Sequence, residues 1–175
     1  LGVGTNGFKE PSQVLDLGNS GTAVRLLMGA VASHPFTTFF SGDHSLIERP
    51  MSRVVEPLTL MGARMISRNS WKLPLALTGS SNLLPINYVL PVPSAQVKSA
   101  ILLAGLSAPG ETSVVENIPS RNHTENMLRH FGVNVDIQDN PDGTRRTILR
   151  GYQELKGVEV AVPADISSAA FLISA

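Results

Sequence analysis

Apolar residues recur every three or four positions within residues 91–116, and this spacing predicts a helix with one buried face. The residues on that face are Val97, Ala100, Ile101 and Ala104. Ser94 is a suitable N-cap for this helix, and Pro109 with Gly110 ends it. The segment that follows, at 112–115, is rich in β-branched residues and predicts a strand.

The start of this predicted helix is polar, because Ser94, Gln96 and Lys98 lie in or near its first turn. A helix N-terminus offers free backbone amides and a partial positive charge, which suit an anionic ligand. A capped and buried helix that binds nothing would explain the same residues. Both interpretations stay open on this stretch alone.

An alternating order of strands and helices also precedes this stretch. The predicted elements are a strand at 14–17, a helix at 23–31, a strand at 37–40, a helix from 49 to 62 with Pro50 in its first turn, and a hairpin of 64–67 with 73–78. Gly62 suits the position that follows a helix. The order of this block is therefore βαβαββ.

The same order recurs further along the chain. A short strand and a turn at the start of residues 91–116 precede the helix at Ser94. After that helix come a strand at 112–116, a helix at 124–131, and a hairpin of 133–137 with 147–149. The candidate helix starts at Ser20, Ser94 and Ser168 are 74 residues apart (94 − 20 and 168 − 94). Internal repeats of this length outweigh local assignments. A third block opens at 160–163, and because the chain stops inside its first helix we expect it to be a fragment.

Composition narrows the function classes. The 175 residues carry no net charge, so no bulk electrostatic attraction to nucleic acid or anionic membrane is expected. The absence of cysteine excludes disulfides, thiolate metal ligation and a cysteine nucleophile, and it fits a reducing compartment. No apolar run approaches membrane-spanning length, and the four histidines have no metal-ligand spacing.

Two arginines occupy equivalent places in the two blocks, each between a strand end and a helix start. These are Arg49 and Arg121. The planar guanidinium fork is effective on carboxylates and phosphates, so this placement indicates an anion site. The alternative is a pair of surface arginines bonded to Glu48 or Glu125.

Other polar residues give weaker signals. The loop 18–22 precedes a helix, but it has neither the Gly-Lys-Ser/Thr of a Walker loop nor a dinucleotide fingerprint. We interpret Arg25 as a structural ion-pair partner, Asp43 and His44 as a solvated loop, and Asp165 as a helix cap.

Five segments make a more specific pattern together than any one of them alone. They are Leu-Gly-Asn-Ser-Gly-Thr-Ala-Val-Arg (17–25), Arg-Pro-Met (49–51), Ser-Ala-Gln-Val-Lys-Ser-Ala (94–100), Ser-Arg-Asn-His-Thr-Glu (120–125) and Val-Pro-Ala-Asp-Ile-Ser-Ser-Ala-Ala (162–170). In this order they resemble the 5-enolpyruvylshikimate-3-phosphate synthase family. The resemblance covers the whole chain.

The resemblance implies an α/β (α+β) fold of repeated βαβαββ units, the inside-out α/β barrel of the enolpyruvyl transferases, incomplete in this chain. Residues 1–157 would form most of the first, N-terminal domain without its first unit, and residues 158–175 would cross into the second domain. The implied reaction transfers the enolpyruvyl group of phosphoenolpyruvate to the 5-hydroxyl of shikimate 3-phosphate. It proceeds through a tetrahedral intermediate, releases phosphate and needs no cofactor or metal.

The resemblance also assigns binding residues. Gly21, Arg49 and Gln96 match the family's phosphoenolpyruvate contacts. The contacts to shikimate 3-phosphate are matched by Ser94, Ala95, Gln96, Ser120 and Arg121. The family's early Lys-Ser motif and its acid–base residues have no match here, so no catalytic residue is assigned and the fragment alone is expected to be inactive. Glyphosate, which inhibits the family, would lie beside Gly21.

The resemblance further implies a cytoplasmic, monomeric full-length enzyme whose partners are its two small substrates, with no nucleic acid and no membrane. Asn122 and Ala164 stand where close relatives have Asp and Gly. One alternative function is a UDP-N-acetylglucosamine enolpyruvyl transferase, although His44 occupies the place of that family's usual cysteine. The other is a non-catalytic βαβαββ module that binds RNA, which would need a basic face with exposed aromatic residues.

Overall fold

The computed structural model describes residues 3–5 and 7–162. Its elements, in chain order, are β1 (Leu15–Asp16), α1 (Gly21–Val31), β2 (Thr37–Ser41), α2 (His44–Ile47), α3 (Ser52–Leu60), β3 (Arg64–Ser67), β4 (Leu75–Thr78), β5 (Asn87–Val89), α4 (Ala95–Gly105), β6 (Glu111–Glu116), α5 (His123–His130), β7 (Val135–Asp139) and β8 (Arg145–Arg150).

The strands form two four-stranded mixed sheets of identical topology. The first has the order β1-β2-β4-β3 and the second the order β5-β6-β8-β7. In each sheet the first pair is parallel and the other two pairs are antiparallel. The predicted α/β fold with repeated βαβαββ units is therefore confirmed for two blocks, and the described residues form no closed barrel.

The two repeats meet through their first helices, α1 and α4. Gly29 makes this approach possible, because a methyl group added there would lie 2.3 Å from the carbonyl oxygen of Ala100. One continuous apolar core includes residues of both repeats, among them Met28, Phe40 and Ile101. The packing of α1 on α4 therefore fixes the relative position of the two helix N-termini.

The two capping serines have equivalent roles. The Ser20 side chain accepts a hydrogen bond from the amide of Ala23, and that of Ser94 from the amide of Val97. Ser20 and Ser94 thus begin α1 and α4 as the repeat predicts. The third predicted helix start, Ser168, lies outside the described residues.

The second helix of the first repeat differs from its prediction. It begins at Ser52 rather than at Arg49, and a separate one-turn helix, α2, occupies the region predicted as a solvated loop. The cause is Asp43, whose carboxylate accepts a hydrogen bond from the amide of Leu46 at 2.8 Å and caps α2. The chain then turns at Pro50 before α3 starts.

Helix α4 is buried more completely than its apolar spacing predicts. Its predicted face is buried, but Ser99, Leu102 and Lys98 are buried as well. Lys98 is fully buried and contacts Glu116 and Glu125. The prediction that Lys98 belongs to a polar, ligand-facing helix start is therefore wrong, because residue 98 points away from the N-terminal mouth of α4 into the interior.

Candidate functional site

A cavity of about 450 Å³ lies at the N-terminus of α4. Its lining residues come from the start of α4 and from the loop between β6 and α5: Ser94, Ala95, Gln96, Pro119, Ser120 and Arg121. All five residues that the resemblance assigned to one ligand line this cavity. They come from two segments of the chain, and the fold brings those segments together.

The N-terminus of α4 supplies hydrogen-bond donors to this cavity. The first amides of a helix have no carbonyl partner within the helix. The hydroxyl of Ser94 accepts a hydrogen bond from the amide of Val97 at 3.4 Å. The amides of Ala95 and Gln96 come before this capped amide in the helix. Together with the partial positive charge of the helix end, they suit a phosphate or a carboxylate.

A second group of polar residues adjoins the cavity at the N-terminus of α1. Arg25 donates to the carbonyl oxygen of Gly21 at 3.1 Å, to that of Pro50 at 3.4 Å and to the side-chain oxygen of Gln96 at 2.8 Å. Gln96 in turn donates to the hydroxyl of Thr22 at 2.7 Å. Gln96 therefore belongs to both the cavity and this cationic group.

Arg49 reaches the same place from the loop before α3. Its guanidinium donates to the side-chain oxygen of Asn19 at 2.6 Å and to the hydroxyl of Ser45 at 3.2 Å. Asn19 is itself held by a 2.7 Å hydrogen bond to Asp43. Asp43, which caps α2, thus also orients Arg49 through Asn19. This acidic residue lies near the cationic site but does not pair with Arg49 directly.

Gly21 lies against both guanidinium groups. A methyl group added at Gly21 would be 2.9 Å from Nη1 of Arg25 and 3.4 Å from Nη1 of Arg49. Gly21 is the first residue of α1 and does not have a positive φ. The lack of a side chain therefore matters here because it leaves space beside the two arginines.

Electrostatics at the site favour an anion. Burial, and next the positive charges of Arg49 and Arg53, lower the pKa of Arg25 from its usual value. Among the described residues, neither Arg25, Arg49 nor Arg121 forms an ion pair. Arg25 and Arg49 lie close to each other without an acidic partner in the described part of the chain, so a bound anion would stabilise both charges.

The alternative interpretation of Arg49 and Arg121 as ion-paired surface residues is not supported. Glu48 pairs with Lys72 at 2.6 Å, and Glu125 contacts Lys98. The interpretation of Arg25 as a structural ion-pair partner is wrong, since its described partners are two backbone carbonyls and an amide oxygen. Sequence reasoning thus missed Arg25 as a site residue, although its position one helical turn after Gly21 could have indicated it.

The sequence model of one protein family, EPSP synthase (3-phosphoshikimate 1-carboxyvinyltransferase), matches residues 2–175. The chain belongs to the EPSP synthase family. Its predicted family resemblance is thereby confirmed over nearly the whole chain.

Individual members of the EPSP synthase family have sequences closely similar to this chain. The chain is 58% identical over 175 residues to the 3-phosphoshikimate 1-carboxyvinyltransferase of Paramagnetospirillum magneticum, covering 100% of this chain and 39% of that protein. It is 56% identical over 174 residues to that of Parvibaculum lavamentivorans, with 99% and 39% covered. The chain thus spans about two fifths of the length of these curated relatives.

A solved structure agrees with the fold. EPSP synthase from Acinetobacter baumannii superposes with a TM-score of 0.88 and 48% identity, covering 98% of this chain and 38% of that one.

Within residues 3–5 and 7–162, no helix combines the length and the apolar character needed to cross a bilayer.

Proposed function

We propose that the protein containing this chain transfers the enolpyruvyl group of phosphoenolpyruvate to the 5-hydroxyl of shikimate 3-phosphate. A carbon–oxygen bond would form between the oxygen of that hydroxyl and C2 of phosphoenolpyruvate, and the bond from C2 to the phosphate oxygen would break. The hydroxyl proton would be lost and, overall, taken up by the released phosphate. The observation that carries the proposal is the family match over residues 2–175. The names of the relatives supply the reaction.

The geometry supports a division of the two anionic substrates between the two parts of the site. The cavity formed by Ser94, Ala95, Gln96, Ser120 and Arg121 would take shikimate 3-phosphate. Gly21, Arg49 and Gln96, together with Arg25, would take phosphoenolpyruvate beside the start of α1. Gln96 touches both places, so the reacting groups of the two substrates would meet near it.

We assign residues 1–157 to the first domain of the parent enzyme and residues 158–175 to the crossing into the second. This chain spans about 39% of its relatives, so we expect the remaining acid–base and cationic groups to come from the rest of the protein. Charge that develops in a transition state, here at C2 and on the leaving phosphate, is stabilised from several sides of a closed site. The 175-residue chain alone is therefore expected to be inactive. As a separate part of the proposal, the parent enzyme is a cytoplasmic monomer.

The test is an assay of the purified full-length protein with phosphoenolpyruvate and shikimate 3-phosphate. We expect phosphate release that requires both substrates, and a product whose mass equals the sum of the two substrates less phosphoric acid. Release with UDP-N-acetylglucosamine but not with shikimate 3-phosphate would replace this function by the alternative. The same assay on the 175-residue chain should give no release above a blank without protein.

A further inference from the structure

A buried cluster of three charged residues lies directly behind the cavity. Lys98, Glu116 and Glu125 all have fully buried side chains. The ammonium of Lys98 donates to Oε2 of Glu116 at 2.8 Å. Its distance to Oε1 of Glu125 is 2.7 Å, but the alignment is poor for a hydrogen bond, and neither oxygen of Glu125 has another partner among the described residues.

Glu116 links this cluster to the wall of the cavity. Its second oxygen, Oε1, accepts from both the hydroxyl and the backbone amide of Ser120, the latter at 3.3 Å. Ser120 and its neighbour Arg121 line the cavity. The carboxylate of Glu116 thus has one oxygen on the buried lysine and the other on the loop at the site.

The equivalent position of the first repeat shows that the fold does not need a charge here. Lys98 is the fourth residue after the capping Ser94, and Val24 is the fourth residue after the capping Ser20. Val24 is fully buried in the apolar core. Buried ion clusters are often no more stabilising than apolar residues of similar size, so stability alone does not account for Lys98.

We propose that Glu116, held by Lys98, is a positioning residue that fixes Ser120 and Arg121 for the phosphate-bearing acceptor substrate; this rests on the proposed function. The amide and hydroxyl of Ser120 both donate to the same oxygen of Glu116, so the loop between β6 and α5 is anchored to the buried cluster at this residue. Arg121 follows directly and is exposed to the cavity. A fixed loop lets Arg121 meet a phosphate without first being ordered.

The test compares two isosteric variants of the full-length protein, Glu116→Gln and Glu125→Gln. A carboxamide has one acceptor oxygen and one NH2 group, so glutamine at 116 cannot present one acceptor oxygen to Lys98 and another to Ser120 as the carboxylate does. For Glu116→Gln we expect the KM for shikimate 3-phosphate to rise about tenfold, with kcat and the KM for phosphoenolpyruvate within about twofold of wild type. Glu125→Gln loses the same charge beside the same lysine without touching the loop, and should leave both KM values unchanged.

Two further measurements keep the test decisive. Glu116→Asp retains the charge but is one methylene shorter, and the same KM split is expected if the glutamine variant does not fold. In a Ser120→Ala background, Glu116→Gln should raise the KM by less than it does alone, since part of its effect acts through that hydroxyl. Equal KM increases in Glu116→Gln and Glu125→Gln, or no increase in either, would overturn the positioning role while wild-type activity stands. An inactive wild type would instead refute the proposed function, and the positioning role with it.

Discussion

The guanidinium of Arg25 donates to the side-chain oxygen of Gln96 at 2.8 Å, and this bond joins the first helices of the two repeats. Residue 25 lies one turn into α1, and residue 96 lies in the first turn of α4. The bond brings a cation from one repeat to the helix mouth of the other. The candidate site is therefore a product of the contact between the repeats and belongs to neither alone.

Replacing Arg25 tests this contact. Arg25→Met in the full-length protein removes three hydrogen bonds and one positive charge beside Gly21. We expect kcat/KM for phosphoenolpyruvate to fall by about tenfold to a hundredfold, because hydrogen bonds from a charged group contribute roughly 1.5–3 kcal/mol. Arg53→Met is the matched control, since Arg53 adds positive charge near Arg25 but is exposed. Equal losses of kcat/KM in both variants would show that Arg25 contributes only its positive charge and not its hydrogen bonds.

Arg49 is expected to contribute through its fork-shaped donor. Arg49→Ala leaves Asn19 and Ser45 without their partner and removes a guanidinium from beside Gly21. We expect a loss of about 2–4 kcal/mol in transition-state stabilisation, measured as the change in kcat/KM. Arg49→Lys keeps the charge without the fork and should fall between alanine and wild type. Kinetics of the alanine variant close to wild type would remove Arg49 from the site.

The repeat and its helix starts could be predicted from the sequence because their causes are local. Ser20 and Ser94 cap α1 and α4 through the amide three residues later, and the positive φ of Gly62 and Gly132 fits helix ends. Each of these features depends on a few neighbouring residues. Within the described residues, the predicted helices and hairpins therefore lie within a few residues of the observed ones. The short strand predicted at the start of residues 91–116 is the exception, because the observed strand is earlier, at Asn87–Val89.

The surroundings of Arg25 and Lys98 could not be predicted in the same way. Both lie in helices whose spacing indicates only which faces are buried. Their partners are set by tertiary packing: Gln96 for Arg25, and Glu116 and Glu125 for Lys98. From the sequence, Lys98 is assigned to the polar start of α4. Its burial depends on β6 and α5, which place the carboxylates of Glu116 and Glu125 beside it.

A stability prediction follows from the contact between the two repeats. Glycine in a helix usually costs about 1 kcal/mol relative to alanine, so Gly29→Ala would ordinarily stabilise α1. Here the added methyl group would lie 2.3 Å from the backbone carbonyl oxygen of Ala100. We expect a net loss of about 1–3 kcal/mol from forced separation of α1 and α4, measured by urea unfolding of the full-length protein.

The control for this prediction is Gly157→Ala. A methyl group at Gly157 meets no atom within 4 Å, so its effect should stay within about 0.5 kcal/mol. An increase in stability for Gly29→Ala would show that α1 and α4 can move apart without cost.

Gly21→Ala is expected to weaken the binding of glyphosate more than that of phosphoenolpyruvate, the substrate that this inhibitor resembles. The added methyl group would point into the space between Arg25 and Arg49, 2.9 Å and 3.4 Å from their nearest nitrogens. Because Gly21 does not have a positive φ, alanine fits the backbone, and the effect should be steric. Glyphosate is longer than phosphoenolpyruvate and would meet the methyl group first, and an overlap of this size costs about 1–3 kcal/mol.

We therefore expect wild-type protein to be sensitive to glyphosate, and Gly21→Ala to raise the inhibition constant by about tenfold or more. The KM for phosphoenolpyruvate should change less, because the compact substrate leaves room for Arg25 to shift at its flexible end. Gly18→Ala is the contrasting control, since Gly18 has a φ of 54° and no atom within reach of an added methyl group. That variant strains the turn before α1 and should weaken inhibitor and substrate together. An unchanged inhibition constant in Gly21→Ala would mean that Gly21 does not face the bound ligand.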